Sequence, residues 1–189
     1  MNIEKIKKLE DLKSEKNQIS ELISKKVIEQ KRYILEKIKE DFETYFSNKS
    51  FNINHHPNGA TANYGSLNIT ISLPKPEDAF FGAYSVIELL VTGNQRKTFK
   101  IIVNEKGTRP GMKSTVRILP NDEDARLDLE INDITEQIQE LLNRKNEIDK
   151  IDFGYRVQDA DEVKRNPYLK TADTKQFDNM KELLDSIFK

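Results

Sequence analysis

Apolar residues step by three and four along the first 46 residues of this chain, then by two, then by three and four again. In the first stretch Leu9, Leu12, Ile19, Ile23, Val27, Ile34, Ile38, Phe42 and Tyr45 form one stripe, with Lys16 and Gln30 filling the missing steps. No Gly or Pro interrupts it. The spacing predicts a single helix from residue 3 to about 46. At 1.5 Å per residue it would run about 65 Å. A helix of that length needs a partner along most of its apolar stripe.

The period changes after Asn48-Lys49-Ser50. Phe51 and Ile53 alternate with Asn52 and Asn54, and His55-His56-Pro57-Asn58-Gly59 reads as a turn. Leu67, Ile69, Ile71 and Leu73 alternate with Asn68, Thr70 and Ser72, the pattern of a half-buried strand. Residues 74 to 78 read as a loop and 80 to 92 as a more apolar, central strand. Thr92-Gly93-Asn94-Gln95 is a hairpin turn leading into a strand from Thr98 to Asn104. A loop over 105–113 precedes a short last strand at Thr115–Leu119. The short connections predict an antiparallel meander of four or five strands.

A second helical stripe follows. Leu127, Ile131, Ile134, Ile138, Leu141 and Ile148 alternate steps of four and three, with one position skipped at Lys145. That is the seam of a helix packing along another helix. It predicts a helix over about 122–150, roughly 42 Å long, with Asn121 as its cap and Asp122, Glu123 and Asp124 in its first turn. Paired with the first helix as an antiparallel hairpin, it would leave about 20 Å of that helix bare. A second copy, another partner or the C-terminal segment would have to cover the remainder. Beyond it, Phe153–Val157 reads as a short strand or an extended dock, and 174–188 as a short helix capped by Thr174. The expected fold class is therefore α+β: a long antiparallel helical hairpin or coiled coil flanking a small antiparallel sheet, with a short C-terminal helix. The expected domain organisation is 1–48, 49–120, 121–151 and 152–189.

Composition narrows the class. One third of the 189 residues are charged, the mean hydropathy is −0.72 and there is no Cys. Disulfide frameworks and thiolate metal sites are excluded. The first residues carry no apolar core of a secretory signal, and no run reaches the ~18 apolar residues of a membrane span. A cytoplasmic protein without membrane contact is expected. The bias to Lys, Asn and Ile suggests an AT-rich bacterial or phage genome.

The net charge of −1 hides an uneven distribution. Arg96, Lys97, Lys100, Lys106, Arg109, Lys113 and Arg117 face only Glu105 as an opposing charge. A basic strand-loop-strand can hold phosphates or an acidic protein face. From Asp122 to Glu162 the balance reverses, with roughly fourteen carboxylates against about five basic side chains. Those carboxylates suit a basic partner, or the chain's own basic strands.

Catalytic signals are sparse. His55 and His56 are the only histidines, and neighbours on a strand point to opposite faces, a poor arrangement for one metal. No phosphate-binding glycine loop and no nucleophile elbow occurs. Asp78, Glu88 and Lys100 would suit a metal-dependent nuclease if they converged. No catalytic residue, metal ligand or cofactor is expected.

The sequence thus points to a non-enzymatic protein-interaction module: an adaptor, an assembly subunit or a phage-type inhibitor of a host system. It would dimerise through Ile19, Ile23, Val27, Ile34, Ile38, Ile131, Ile134, Ile138 and Leu141, and meet a protein partner through the β region. Nucleic-acid binding by the basic strands is the alternative.

Overall fold

The computed structural model describes residues 2–107, 120–160 and 175–188. Helix α1 spans Ile3–Ser47, and strands β1 to β5 follow at Asn52–His56, Gly59–Tyr64, Leu67–Ser72, Ser85–Thr92 and Lys97–Glu105. Helix α2 is Glu123–Glu147, extended by a 3₁₀ turn at Ile148–Lys150. Strands β6 (Phe153–Asp159) and β7 (Gln176–Phe177) and helix α3 (Met180–Ile187) complete the described chain. The fold is α+β, as expected. The last expected strand, Thr115–Leu119, lies outside the described residues.

Two compact units divide the chain: residues 1–28 with 109–151, and residues 29–108 with 152–189. The division falls within α1, so each half of that helix serves a different core.

The ends of α1 follow from local chemistry. The Asn2 side chain accepts the Lys5 N–H at 3.2 Å, capping the first turn. At the other end Ser50 turns into the left-handed region at φ +64. Phe51 N–H then donates to Phe46 O at 3.1 Å and Ser50 N–H to Ser47 O at 3.0 Å. The Phe46 and Phe51 rings meet at 5.1 Å. Paired bonds of this kind with an apolar contact across them make a Schellman stop, here with Ser where Gly is usual.

In the sheet-bearing unit each strand pairs antiparallel with the next, giving seven strands among the described residues in the order β1-β2-β3-β4-β5-β6-β7. The expected four or five strands are corrected to seven among the described residues. Strand β2 escaped the alternation pattern because its inward residues are Ala60 and Ala62, small side chains that are nonetheless 0% exposed. Strand β4 starts at Ser85 rather than at residue 80. Strand β7 is two residues long, too short for any period to register.

One face of the sheet carries the core. Ile69, Ile71, Ile87, Leu89, Ile101 and Val103 meet Ile34, Leu35, Ile38, Phe42 and Phe46 of α1 and Met180, Leu183 and Leu184 of α3. Each large apolar side chain removed from water contributes about 1.5–3 kcal/mol. Helix α3 is fastened at its start by a reciprocal cap. Asn179 accepts the Glu182 N–H at 2.9 Å and returns its own amide to the Glu182 carboxylate at 2.9 Å. The expected cap, Thr174, lies outside the described residues. The opposite face of the sheet carries Thr61, Thr70, Thr98, Glu88 and Lys100.

In the helical unit, Leu9 and Ile19 of α1 bury against Ile131, Ile134 and Ile138 of α2, with Leu12, Ile23, Leu127 and Leu141 at the margins. Asp122 caps α2 by accepting the Ala125 N–H at 2.9 Å, one residue later than the expected Asn121. Ion pairs fix the direction of the pairing. Lys5 meets Asp124 at 3.8 Å and Asp128 at 2.8 Å, Lys13 meets Glu130 at 3.3 Å, and Lys26 meets Asp149 at 2.7 Å. Partner numbers rise together, which only parallel helices allow. The antiparallel hairpin is therefore corrected to a parallel pair. A heptad stripe is the same read in either direction, so spacing alone had no hold on polarity.

The bare length expected on α1 is also accounted for. From Ile34 onward its stripe packs on the sheet and on α3, within the same chain.

Candidate functional site

The basic residues of the β region do not form one patch. Arg96 and Lys97 are exposed at the β4–β5 turn. Lys97 falls on the same side of β5 as Phe99, Ile101 and Val103, at the strand's exposed start, whereas Lys100 lies on the open face, directly across from Glu88. Lys106 is bonded to Asp178 at 2.8 Å, beside the cap of α3. That hydrogen bond raises the Lys106 amine above the usual lysine range, outweighing partial desolvation, with the Asp178, Asp152 and Glu182 charges adding to it. Lys106 is thus a fastening between β5 and the C-terminal helix. Arg109, Lys113 and Arg117 lie outside the described residues.

Asp78, Glu88 and Lys100 do not converge. Glu88 and Lys100 share the open face, between Ile87, Leu89 and Ile101 that point into the core. Asp78 sits on the helix-covered side, where its backbone O accepts Lys31 of α1. The metal-dependent nuclease reading required all three together and is withdrawn. His55 and His56 part as adjacent strand residues must. His55 Nδ1 meets Glu43 of α1 at 2.9 Å, and His56 Nε2 meets Thr61 at 2.9 Å on the other face. Among the described residues no group of three His, Cys, Asp or Glu could hold a metal ion, and no helix is long and apolar enough to cross a membrane.

The residues expected to join two copies have partners inside one chain. Ile19, Ile23, Ile131, Ile134, Ile138 and Leu141 belong to the α1–α2 contact, and Ile34 and Ile38 to the sheet core. Val27 is half-buried.

A different feature emerges between β3 and β4. The loop Pro74–Tyr84 ends in Phe80-Phe81-Gly82-Ala83, closed by a bridge between Phe80 and Ala83. Gly82 has φ +72, the left-handed value a type II turn needs at its third position. Phe81 is thereby placed at the second position and points away from the fold, 99% exposed.

This loop is fastened at several points. Lys31 donates to Asp78 O at 2.6 Å and stands 6.0 Å from the Phe80 ring and 5.6 Å from the Tyr84 ring. Burial among these groups lowers the Lys31 amine below its ordinary range, opposed by the nearby Asp78 charge. The Asp78 carboxylate accepts the Lys75 N–H at 2.9 Å. The Tyr84 hydroxyl donates to Gln30 at 2.7 Å, and its ring meets Phe153 at 4.6 Å. The expected strand over 80–92 takes in Phe80 and Phe81, where the structure has a turn. The signal was present in Phe-Phe-Gly-Ala: two adjacent aromatics cannot both face one side of a strand, and the following Gly permits a reversal.

Compared with protein-family models, curated proteins and solved structures, the chain gives no match.

Proposed function

We propose that the protein is a non-enzymatic interaction module that grips a protein partner through its β region, with Phe81 as the anchor. The carrying observation is a fully solvated aromatic ring on a fastened turn. An exposed ring leaves water on binding, and aromatic side chains dominate the energetics of interfaces. A loop already held in place loses less conformational entropy when the ring is captured. Lys31, Asp78 and Tyr84 supply that hold. An adaptor, an assembly subunit or an inhibitor of a host system would each use such an anchor.

The test is site-specific photo-crosslinking. A photoreactive phenylalanine replaces Phe81, and the cells that naturally produce the protein are irradiated. The expected result is one discrete adduct, competed away by excess wild-type protein but not by Phe81→Ser protein. Adducts that both proteins compete equally, or none above the level of a control probe at Glu77, would overturn the reading.

Nucleic-acid binding is the second reading, favoured by the exposed Arg96 and Lys97. It predicts oligonucleotide affinity that falls steeply with salt and drops on Arg96→Glu.

A further inference from the structure

We infer that β1 is a self-pairing edge, and that two copies of this chain join antiparallel along it into one continuous sheet. Among the described residues strand β1 stands at the end of the strand order, with β2 on one side only. Its pairing with β2 closes at His56↔Gly59 across the two-residue turn Pro57-Asn58. The pair flanking a two-residue turn is hydrogen-bonded, and bonding alternates from there. Asn52, Asn54 and His56 therefore spend their backbone groups on β2. The amides and carbonyls of Ile53 and His55 point outward.

The two sheet edges differ in how they are guarded. β7 is two residues long and flanked by Lys175 and Asp178, the short and charged design that blocks edge pairing. β1 is Asn-Ile-Asn-His-His and contains no Lys, Arg, Asp or Glu. It carries no proline or positive-φ residue within its span.

The absence of fixed charge selects a second copy as the occupant. A two-fold axis sets each residue of the strand against its counterpart about the centre, so a charged edge would repel itself. With outward amides at Ile53 and His55, the axis passes beside Asn54. Ile53 then faces His55 of the other copy, and Asn54 faces Asn54. Asn pairs stacked across strands can bond through their side-chain amides.

The ends of the strand agree with this register. Phe51 would lie against Pro57 of the other copy. Next to Phe51 is Tyr64, 59% exposed, its ring 5.3 Å from that of Phe51. Pairing brings an apolar residue to each of these aromatic corners. His55 remains free to keep its bond to Glu43, which comes from the helix side rather than from the edge.

The Cys-free chain allows a direct test. Residues opposite each other in a non-hydrogen-bonded antiparallel pair have Cα atoms about 4.5 Å apart, within disulfide reach. Asn54→Cys protein under mild oxidation is expected to form a disulfide-linked dimer rapidly and nearly completely, whereas Thr61→Cys protein, on the inner neighbour strand, is not. Light scattering of the wild type over rising concentration should show the mass climbing from 22.0 kDa to twice that value. Asn54→Lys, which sets two ammonium groups on the axis, should hold it at 22.0 kDa with an unchanged circular dichroism spectrum. A wild type that stays monomeric throughout, or an Asn54→Lys protein that still dimerises, overturns the proposal. So does a dimer lost on Leu22→Glu and kept on Asn54→Lys, which would place the contact on α1. Phe81→Ser should leave the dimer intact, separating this edge from the anchor loop.

Discussion

Lys26 of α1 donates to Asp149, just beyond α2, at 2.7 Å, and the two lie 123 residues apart in the chain. Lys5 and Asp128 have the same separation. A separation that stays nearly the same along the pair, rather than shrinking steadily, is the signature of two helices running the same way. Paired cysteines test it in this Cys-free chain. Lys5→Cys with Asp128→Cys should crosslink within one chain under oxidation, and so should Lys26→Cys with Asp149→Cys. Lys5→Cys with Asp149→Cys should not. Mass spectrometry of the tryptic fragments reads the result.

Removing one of these ion pairs should change stability little. The Lys13 and Glu130 side chains are 41% and 50% exposed, and pairs of this kind contribute roughly 0.2–1 kcal/mol. A double-mutant cycle of Lys13→Ala and Glu130→Ala, followed by urea unfolding, should give a coupling in that range. The apolar contact beneath is stronger. Ile138→Ala should cost about 2–5 kcal/mol.

Tyr45 ties α1 to α3 by donating to Asp185 at 3.0 Å. Burial, then the bond to Asp185 and the charge of that carboxylate, push the Tyr45 hydroxyl up to about 12. The folded protein thus keeps this proton where an unfolded tyrosine, near its ordinary value of about 10, would lose it. The stability this group provides is complete below pH about 10 and is lost as pH rises towards 12. Tyr45→Phe should flatten that alkaline decline. It should also cost about 1.5–3 kcal/mol at neutral pH, as for a bond to a charged acceptor. Urea titrations at a series of pH values read both effects.

Two turn positions should respond in opposite directions. Ser50 holds a left-handed φ of +64 at the end of α1. Ser50→Gly should relieve that strain and stabilise by up to about 1 kcal/mol. Gly59, at φ +153, has the Ile71 carbonyl in the space a Cβ would occupy. Gly59→Ala should destabilise by about 1–3 kcal/mol, because the obstacle is backbone and cannot swing aside. Thermal melts of the two variants should shift upward and downward respectively.

The anchor loop separates stability from presentation. Phe81→Ser removes a ring that touches nothing and should change unfolding free energy by less than about 0.5 kcal/mol. Lys31→Met removes the donor to Asp78 O and the cation between Phe80 and Tyr84. Hydrogen exchange of residues 75–84 should then accelerate while the core strands keep their protection.

The fold was legible where side chains are large and periods are long. The stripe from Leu9 to Tyr45 and the alternation of Leu67 to Leu73 located α1 and β3 to within a residue at each bound. Ala60 and Ala62 hid β2, because burial of a small side chain leaves no mark in a hydrophobicity pattern. Thr-Gly-Asn-Gln located the β4–β5 turn, but Phe-Phe-Gly-Ala was absorbed into a strand. Neither the parallel sense of the helices nor the fastening of Lys106 to Asp178 was legible. Both depend on which distant charges meet, and that is decided by topology rather than by spacing.

The parallel pairing also sets a timetable. Leu9 and Ile19 find their cover on Ile131, Ile134 and Ile138, so more than a hundred residues must be synthesised first. At about 5–20 residues per second, the stripe emerges from the ribosome many seconds before its mate. During that interval the nascent chain displays an amphipathic helix with an unoccupied apolar face, the form a cellular chaperone recognises. The first-made side of this helix pair is enclosed only once the second has been made.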